Sequence, residues 1–526
     1  MDKANIILIY ADDLGRGMLS SYGQKHFSTP NIDRIAREGI RFERAYGTAF
    51  CAPARASLLC GIHDAHAGRW TYTPGGVYKK LSTGEMTQDE AEELIQNTGI
   101  QNRSEGNFLP GVLKQAGYRT GQVGKLEWGF ATTAGELKDH GWDYHYGYYD
   151  HIRCHGFYPP FLFENGKKND IPGNTDPHCG RPEYTTGDVP ANTEAEMSGR
   201  QVYSQDLFDT MILDFIGSNR ENPFFLFHPT QLPHGPAFYP AHHPGVAGNS
   251  ELTDIEKEYA SMVLRLDDTV GLILDELERL HLRDKTLLIF SSDNGHENSY
   301  YSCKGRTGRN RTLKGEEVND RDRPFRTIDC GDPFDGNRGL AGLKFTNWDG
   351  GSRVLWMASM PGRIPEGEQS NQLISNYDCM ATLAELAGTD CPATSDGISF
   401  LPALFGRTAE EEHEEVIFAS AAGPAMVTKE GWKLRFYIPG DVFAANSPTP
   451  DKIPFHPGTI RQLYKVDTDP AETEDLSDQY PDLLQELTER MIRHCDGNLY
   501  NGTPQAHLAG FSRDIPDWPR IFNNEI

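Results

Sequence analysis

The chain has 526 residues and a formal net charge of −26, with 50 Lys and Arg against 76 Asp and Glu. Such an acidic surface repels nucleic acid and anionic membranes, so we expect neither as a partner. The 37% hydrophobic content is enough for a substantial buried core, and the length suits two or three domains, or one large α/β domain and a smaller one.

The nine cysteines form no C-x-x-C pair, which argues against a zinc cluster or a redox dithiol. No apolar run reaches membrane-spanning length. No signal peptide is recognisable ahead of the first apolar strand. We therefore expect a cytoplasmic protein without a membrane span, or a periplasmic or secreted one if an export signal was trimmed.

Four short, β-rich apolar runs predict strands that are buried on both faces of a parallel sheet. In chain order they are residues 6–10, 118–123, 224–227 and 286–290. Helical patterns cover residues 31–38, with Asn31 as N-cap, residues 252–280, and residues 376–388, closed by Gly388. Strands alternating with helices predict a doubly wound α/β domain.

The pattern changes after residue 395. Residues 425–438 predict a β-hairpin that turns at Lys429-Glu430-Gly431, residues 463–466 a short strand, and residues 483–494 an amphipathic helix. We therefore predict a catalytic α/β domain of residues 1–395. A C-terminal α+β subdomain of residues 396–526 follows, built on a short antiparallel sheet.

Polar residues follow each predicted strand of the first domain. They are Asp12 and Asp13 after the first strand, Lys125 and Glu127 after the second, His234 after the third, and Asp293 and Asn294 after the fourth. Ligands of doubly wound sheets bind beyond the carboxyl ends of the strands. We therefore expect these side chains to converge.

The first and last of these groups predict a metal site. Asp12, Asp13, Asp293 and Asn294 offer only oxygen ligands, which suit Ca²⁺ or Mg²⁺ rather than Zn²⁺. Two adjacent carboxylates at a strand end repel each other unless a cation lies between them. Turn and capping roles explain each pair taken alone, but both pairs at the ends of buried strands favour a divalent cation.

The stretch CAPARASLLCG, residues 51–61, places Cys51, Pro53 and Arg55 at the spacing C-x-P-x-R. One explanation is a reactive thiolate, whose charge Arg55 would favour. A second is a disulfide with Cys60, and a third is that Cys51 is modified. For a cysteine taken alone, a buried small hydrophobe is the more common role.

Taken together and in this order, the motifs DDLG, CAPAR, GKLEWG, LPHGP, SDNG, residues 343–354 and LYKVDTDPAETEDLS span nearly the whole chain. The chain resembles the sulfatase family of the alkaline-phosphatase-like superfamily. The resemblance implies a large mixed, mainly parallel sheet with helices on both faces. It also implies a sulfuric ester hydrolase that removes sulfate from a sulfated carbohydrate or an aryl sulfate.

The resemblance also assigns chemistry to residues. It implies that a maturation enzyme oxidises Cys51 to formylglycine, whose hydrate attacks sulfur with one hydroxyl and expels sulfate with the help of the other. It implies Ca²⁺, or Mg²⁺, at Asp12, Asp13, Asp293 and Asn294. Arg55 would be held against formylglycine, while Lys125, His234 and Lys344 would bind sulfate and support the leaving group. Fixed cations and a proton donor suit a transition state that builds charge on the leaving oxygen.

Glu127 departs from the family pattern GKWHLG, whose His is the usual candidate base for releasing sulfate. His140, His145 and His151 lie nearby in the chain, but the sequence singles out none of them. We hypothesise that Glu127 is the replacement base. The alternative is that it pairs with a lysine or contacts a substrate hydroxyl.

Several aromatic and cationic residues are candidates for a sugar pocket, and we select Arg153, His155, His178 and Arg181 as substrate-binding residues. Two other functions stay open. One is a phosphodiesterase or phosphonate monoester hydrolase of the same superfamily, and the other is a catalytically impaired protein that binds sulfated glycan.

Overall fold

The computed structural model describes residues 3–66, 76–98, 107–126, 131–180, 197–235, 239–297, 324–420, 423–437 and 460–496. The strands are β1 Asn5–Ala11, β2 Gly39–Tyr46, β3 Arg119–Gly124, β4 Tyr144–Gly147, β5 Phe161–Glu164, β6 Lys167–Asp170, β7 Phe224–Pro229, β8 Thr286–Ser292, β9 Arg353–Val354, β10 Trp356–Ser359, β11 Glu368–Ser375, β12 Glu415–Ala419, β13 Pro424–Thr428, β14 Trp432–Tyr437 and β15 Ile460–Lys465.

Within the described residues, eleven strands form one large mixed sheet. Its order is β11-β2-β10-β8-β1-β7-β3-β4-β5-β6, and β9 pairs with β2. The centre of the sheet is parallel, since β1 pairs in parallel with β7 and β8, and β3 pairs in parallel with β7 and β4. All four strands predicted from apolar runs are therefore present, side by side, at the centre of the sheet.

The sheet separates two hydrophobic cores. Alternate residues of β1 face opposite ways: Ile6 and Leu8 join one core, and Ile7 and Ile9 join the other. Burial on both faces explains why this strand reads as an unbroken apolar run.

The helices of the described residues are α1 Pro30–Arg37, α2 Cys51–Cys60, α3 Lys79–Thr83, α4 Gln88–Thr98, α5 Leu109–Gln115, α6 Ala134–His140, α7 Ser204–Ser218, α8 Pro244–Ala247, α9 Asp254–Arg279, α10 Asp349–Ser352, α11 Asp378–Ala387, α12 Leu401–Leu404 and α13 Pro481–His494. Helices α2, α5 and α11 cover one face of the large sheet, and α1, α7 and α9 cover the other. None of the helices in these ranges has the length and apolar character needed to cross a membrane.

The N-cap predicted for α1 is wrong. The helix begins one residue before Asn31, at Pro30, and Thr29 is the N-cap. Proline suits the first helical position because its ring fixes φ near the helical value. Asn31 instead uses its side chain to contact Asp267 on α9 at 3.0 Å.

A separate antiparallel sheet of order β12-β13-β14-β15 confirms the predicted C-terminal sheet, including its hairpin. One face packs against the large domain through Phe418, which stacks on Tyr46. The other face is covered by α13 through Leu487 and Met491. The domain boundary after residue 395 stays a prediction, and the small sheet itself starts at Glu415.

Candidate functional site

Side chains from four central strands meet at the carboxyl edge of the large sheet. Asp12 and Asp13 follow β1, Lys125 follows β3, and the segment that carries His234 follows β7. Asp293 and Asn294 follow β8. The side chains of all six are buried or nearly so. Since neighbouring parallel strands end at the same edge, residues nearly 300 positions apart come into contact.

The four oxygen-bearing residues form one cluster. The Asn294 amide donates from Nδ2 to Asp13 Oδ1 at 2.9 Å, and the backbone N–H of Asp13 donates to Asp293 Oδ1 at 3.1 Å. Asp13 has a φ of 62°, a left-handed conformation that is uncommon for residues other than glycine. The cluster therefore holds Asp13 in a conformation that the surrounding structure must support.

The chemistry of this cluster fits a hard divalent cation. Asp12 Oδ1 and Asn294 Oδ1 are buried oxygens without a hydrogen-bond partner among the described residues. Burial, and next the neighbouring Asp12 carboxylate, raise the pKa of Asp293 to about 7. Unsatisfied oxygens and crowded carboxylates are both relieved when a cation lies between them.

Three fixed cations surround the carboxylates. Lys125 Nζ pairs with Asp12 Oδ2, and Lys344 Nζ lies 2.8 Å from Asp13 Oδ2. Arg55 donates from Nη2 to Asp293 Oδ2 at 3.0 Å. Burial alone would lower the pKa of Lys344, but Asp13 and its neighbours outweigh burial and raise it. Both lysines therefore stay charged inside the fold.

His234 lies between Lys344 and the carboxylates. Its Nε2 is 3.1 Å from Lys344 Nζ and 3.4 Å from Asp13 Oδ2. Burial and then Lys344 hold the pKa of His234 well below its usual range. Glu297, which the sequence did not single out, lies 3.5 Å from Lys344 Nζ.

Cys51 begins helix α2 and is only 3% exposed. Burial raises the pKa of its thiol to about 11, although Lys125 and Lys344 act in the opposite direction. The raised pKa favours the neutral thiol, and the Arg55 guanidinium donates its hydrogen bond to Asp293 rather than to Cys51. The structure therefore does not support a reactive thiolate at position 51. The disulfide explanation is wrong, since Cys51 and Cys60 are free thiols at opposite ends of one helix.

His151 is a functional candidate that the sequence named beside His140 and His145 but could not single out. Its Nε2 lies 3.6 Å from Cys51 Sγ, and its imidazole is nearly buried. Burial and then Lys125 hold the pKa of His151 well below its usual range, which favours the neutral ring. The one feature of the sequence that could have indicated His151 is its position shortly after strand β4, whose end lies at the same edge of the sheet as the other site residues.

The predicted substrate-binding residues differ in their positions. The imidazole of His155 stacks on that of His234 with ring centroids 4.0 Å apart, and His178 is exposed. The Arg153 guanidinium is buried, lies 3.8 Å from the centroid of the Phe161 ring and donates to the Phe161 carbonyl. These contacts hold Arg153 inside the fold, and its substrate-binding role stays a prediction. Glu127 and Arg181 lie outside the described residues, and their roles stay predictions.

Comparison with known proteins agrees with this geometry. The family model described as Sulfatase matches residues 4–389. The chain is 28% identical to an N-acetylgalactosamine-6-O-sulfatase of Bacteroides thetaiotaomicron, covering 93% of this chain and 92% of that relative. It is 29% identical to an N-acetylgalactosamine-6-sulfatase of Canis lupus familiaris, covering 98% and 89%.

A solved structure described under the metabolism of multiple glycosaminoglycans by Bacteroides thetaiotaomicron superposes with a TM-score of 0.65. Its sequence is 25% identical, and the match covers 93% of this chain and 99% of that one. Because the family model spans most of the chain and the relatives match it nearly end to end, the protein belongs to the sulfatase family of enzymes, with the alkaline-phosphatase-like fold.

Proposed function

We propose that this sulfatase removes sulfate from a sulfated carbohydrate, using formylglycine at position 51 and a divalent cation, Ca²⁺ or Mg²⁺. The observation that carries the proposal is the setting of Cys51. Its Sγ lies within 4.8 Å of carboxylate oxygens of Asp12 and Asp293, and two buried oxygens of the same cluster, Asp12 Oδ1 and Asn294 Oδ1, make no hydrogen bond within the described residues. The alternative small ester substrate is an aryl sulfate.

The charges of the site favour a monoanionic substrate. Among the described residues, the carboxylates of Asp12, Asp13, Asp293 and Glu297 oppose the three cations of Arg55, Lys125 and Lys344. With all four carboxyl groups ionised, as a bound divalent cation would favour, these groups carry one net negative charge, which the cation would convert to one positive charge. A sulfate ester carries a single negative charge and would neutralise the site. A phosphate monoester, which is mostly dianionic near neutral pH, would leave the site with a net negative charge. Phosphodiesters and phosphonate monoesters are monoanionic like sulfate esters, so the charge count argues against phosphate monoesters alone.

In this proposal, some residues of the site bind the sulfate group and others transfer protons. Formylglycine supplies, as its hydrate, one hydroxyl for attack on sulfur and a second that allows sulfate to leave. A cation held by Asp12, Asp13, Asp293 and Asn294 supplies Lewis acidity toward a sulfate oxygen. Lys125 and Lys344 would bind sulfate oxygens, and His234 beside Lys344 would support the leaving oxygen. Arg55 would hold the Asp293 carboxylate against the start of α2.

The substrate class rests on the relatives. Both curated relatives are named for the sulfate at position 6 of N-acetylgalactosamine, a carbohydrate ester. Their names support a sulfated sugar here, without fixing which sugar or which sulfate position.

The test begins with the residue-51 peptide of protein that was produced together with a formylglycine-generating enzyme. Mass spectrometry should show the aldehyde in place of the thiol. The matured protein should hydrolyse 4-nitrophenyl sulfate much faster than 4-nitrophenyl phosphate, and a panel of sulfated sugars should contain a better substrate. Cys51→Ala should abolish turnover and leave the fold intact. Full activity with an unmodified thiol, or preference for the phosphate ester, would contradict the proposal.

A further inference from the structure

We infer that His151 is a catalytic residue that accepts a proton from residue 51 when sulfate is released, an inference that rests on the proposed function. The observation is the 3.6 Å contact between His151 Nε2 and Cys51 Sγ. In the matured enzyme, a hydroxyl of hydrated formylglycine would stand where Sγ stands here. A hydroxyl at this place can donate its proton to the imidazole along the contact that the thiol now makes.

The loop that carries His151 is firmly fixed. The carboxylate of Asp150 accepts hydrogen bonds from the backbone N–H groups of Gly76, Tyr78 and Ile152, at 2.9–3.0 Å. The Asp150 carbonyl also accepts the backbone N–H of Cys154 at 3.2 Å. A buried carboxylate with several backbone donors anchors the residues on either side of it. These hydrogen bonds therefore hold His151 in contact with residue 51 before substrate binds.

The histidines of the site form a short row with two different ends. His151 meets the ring of His155 edge-on at 4.8 Å, and His155 stacks on His234 at 4.0 Å. At one end, His234 contacts Lys344 and faces Asp13. At the other end, His151 contacts residue 51. His234 is therefore placed to act on the leaving oxygen, and His151 is placed to act on residue 51, the nucleophile.

The step is balanced in atoms and electrons. After attack, residue 51 carries one hydroxyl and one sulfate ester on the same carbon. His151 takes the hydroxyl proton, the oxygen forms the aldehyde double bond, and the bond between this carbon and the sulfate oxygen breaks. Sulfate leaves with the electron pair of that bond. The imidazolium then gives its proton to solvent, and water adds to the aldehyde to restore the hydrate.

The experiment uses His151→Gln in the full-length matured enzyme with 4-nitrophenyl sulfate. We expect one rapid equivalent of nitrophenolate, followed by steady turnover reduced by about 10²–10⁴-fold, the usual contribution of general acid–base catalysis. The residue-51 peptide should gain the mass of one sulfate. His151→Ala should behave in the same way, which guards against an effect peculiar to glutamine.

His140→Gln is the matched control. His140 is another buried histidine, but it stacks on Phe108 near the start of β3, at the opposite edge of the sheet. It should give wild-type kinetics and no adduct. Glu127→Gln tests the rival base, and we expect no adduct there either.

Three results would overturn the inference. The first is wild-type turnover by His151→Gln, and the second is loss of the initial burst, which would place His151 before sulfate transfer. The third is an adduct in Glu127→Gln but not in His151→Gln, which would make Glu127 the base. Failure of the proposed function looks different, because wild-type protein would then lack the aldehyde or would not hydrolyse the sulfate ester, and the inference would fall with it.

Discussion

Asp12 has two carboxylate oxygens with different surroundings. Its Oδ2 pairs with Lys125, whereas the buried Oδ1 has no hydrogen-bond partner in the part of the chain that the structure describes and lies 3.7 Å from Arg55 Nη2. Burial opposes ionisation of Asp12, but Lys125 and the neighbouring cations outweigh it and hold its pKa well below the usual range. One carboxylate therefore serves both the lysine and the predicted cation, which makes it the most informative residue to change.

Asp12→Asn should weaken Ca²⁺ binding by about tenfold or more, which corresponds to about 1.4 kcal/mol. The substitution keeps the size and one oxygen but removes the charge. Because a ligand that binds only the folded state raises its stability, the measurement is the rise in melting temperature on adding Ca²⁺. Asp284→Asn, an exposed aspartate beside β8, is the control. An equal calcium-induced rise in Asp12→Asn and wild type would remove Asp12 from the metal site.

At the level of elements, the loop after β8 crosses the segment before β9 at very close range. The backbone N–H of Gly295 donates to the Gly351 carbonyl at 2.9 Å. A Cβ at position 295 would lie 1.8 Å from the Gly350 carbonyl oxygen, which no side chain tolerates. The glycine of the SDNG motif therefore allows two backbones to approach, and this approach fixes Asp293 and Asn294 beside the segment that carries Lys344.

Gly295→Ala should lower the free energy of unfolding by about 1–3 kcal/mol, as overpacking does. It should also reduce sulfatase turnover more than tenfold, because the loop must move and takes Asp293 and Asn294 with it. Gly248→Ala is a matched control, since a Cβ there meets open space and its φ of −82° suits alanine. Urea unfolding and turnover of 4-nitrophenyl sulfate measure both effects. Indistinguishable behaviour of the two variants would show that the crossing is not tight.

At the level of the whole molecule, a buried ionic group joins the small sheet to the helix that precedes β9. Lys433 of β14 lies 2.8 Å from Asp349 Oδ1 of α10 and 2.7 Å from Glu472 Oε1. All three side chains are fully buried. Since α10 begins five residues after Lys344, the small sheet supports the segment that carries Lys344.

Lys433→Met should cost about 3–5 kcal/mol of folding stability, because it removes the cation that the buried carboxylates of Asp349 and Glu472 share and leaves only Arg353 of the described cations, 3.3 Å from Asp349 Oδ2, beside them. Lys429→Met, an exposed lysine at the turn of the same sheet, should change stability by no more than about 0.5 kcal/mol. Guanidinium unfolding gives the comparison. Adding Glu472→Gln to Lys433→Met should recover part of the loss, and similar stabilities for the two lysine variants would contradict a joining role.

The sequence predicted the central strands and the residues that follow them, because a strand and the residue after it are neighbours in the chain. Strand β1 is recognisable since it is buried on both faces, and the position of Asp12 directly after it places the carboxylate at the correct edge. His151 could not be selected from His140 and His145, because its contact with Cys51 depends on how Asp150 anchors a loop. The Lys433 group joins strand β14 to helix α10 and to the segment after β15, and no local pattern specifies such a contact.

The burial of Cys51 has a consequence for the order of events during biosynthesis. Every residue of helix α2 is buried in the finished fold, and the thiol is almost inaccessible. The proposed conversion of this thiol to an aldehyde therefore requires the maturation enzyme to reach residue 51 before the chain folds, during or soon after translation. Protein that folds first would stay locked in the thiol form, so later exposure to the maturation enzyme should not activate it without unfolding.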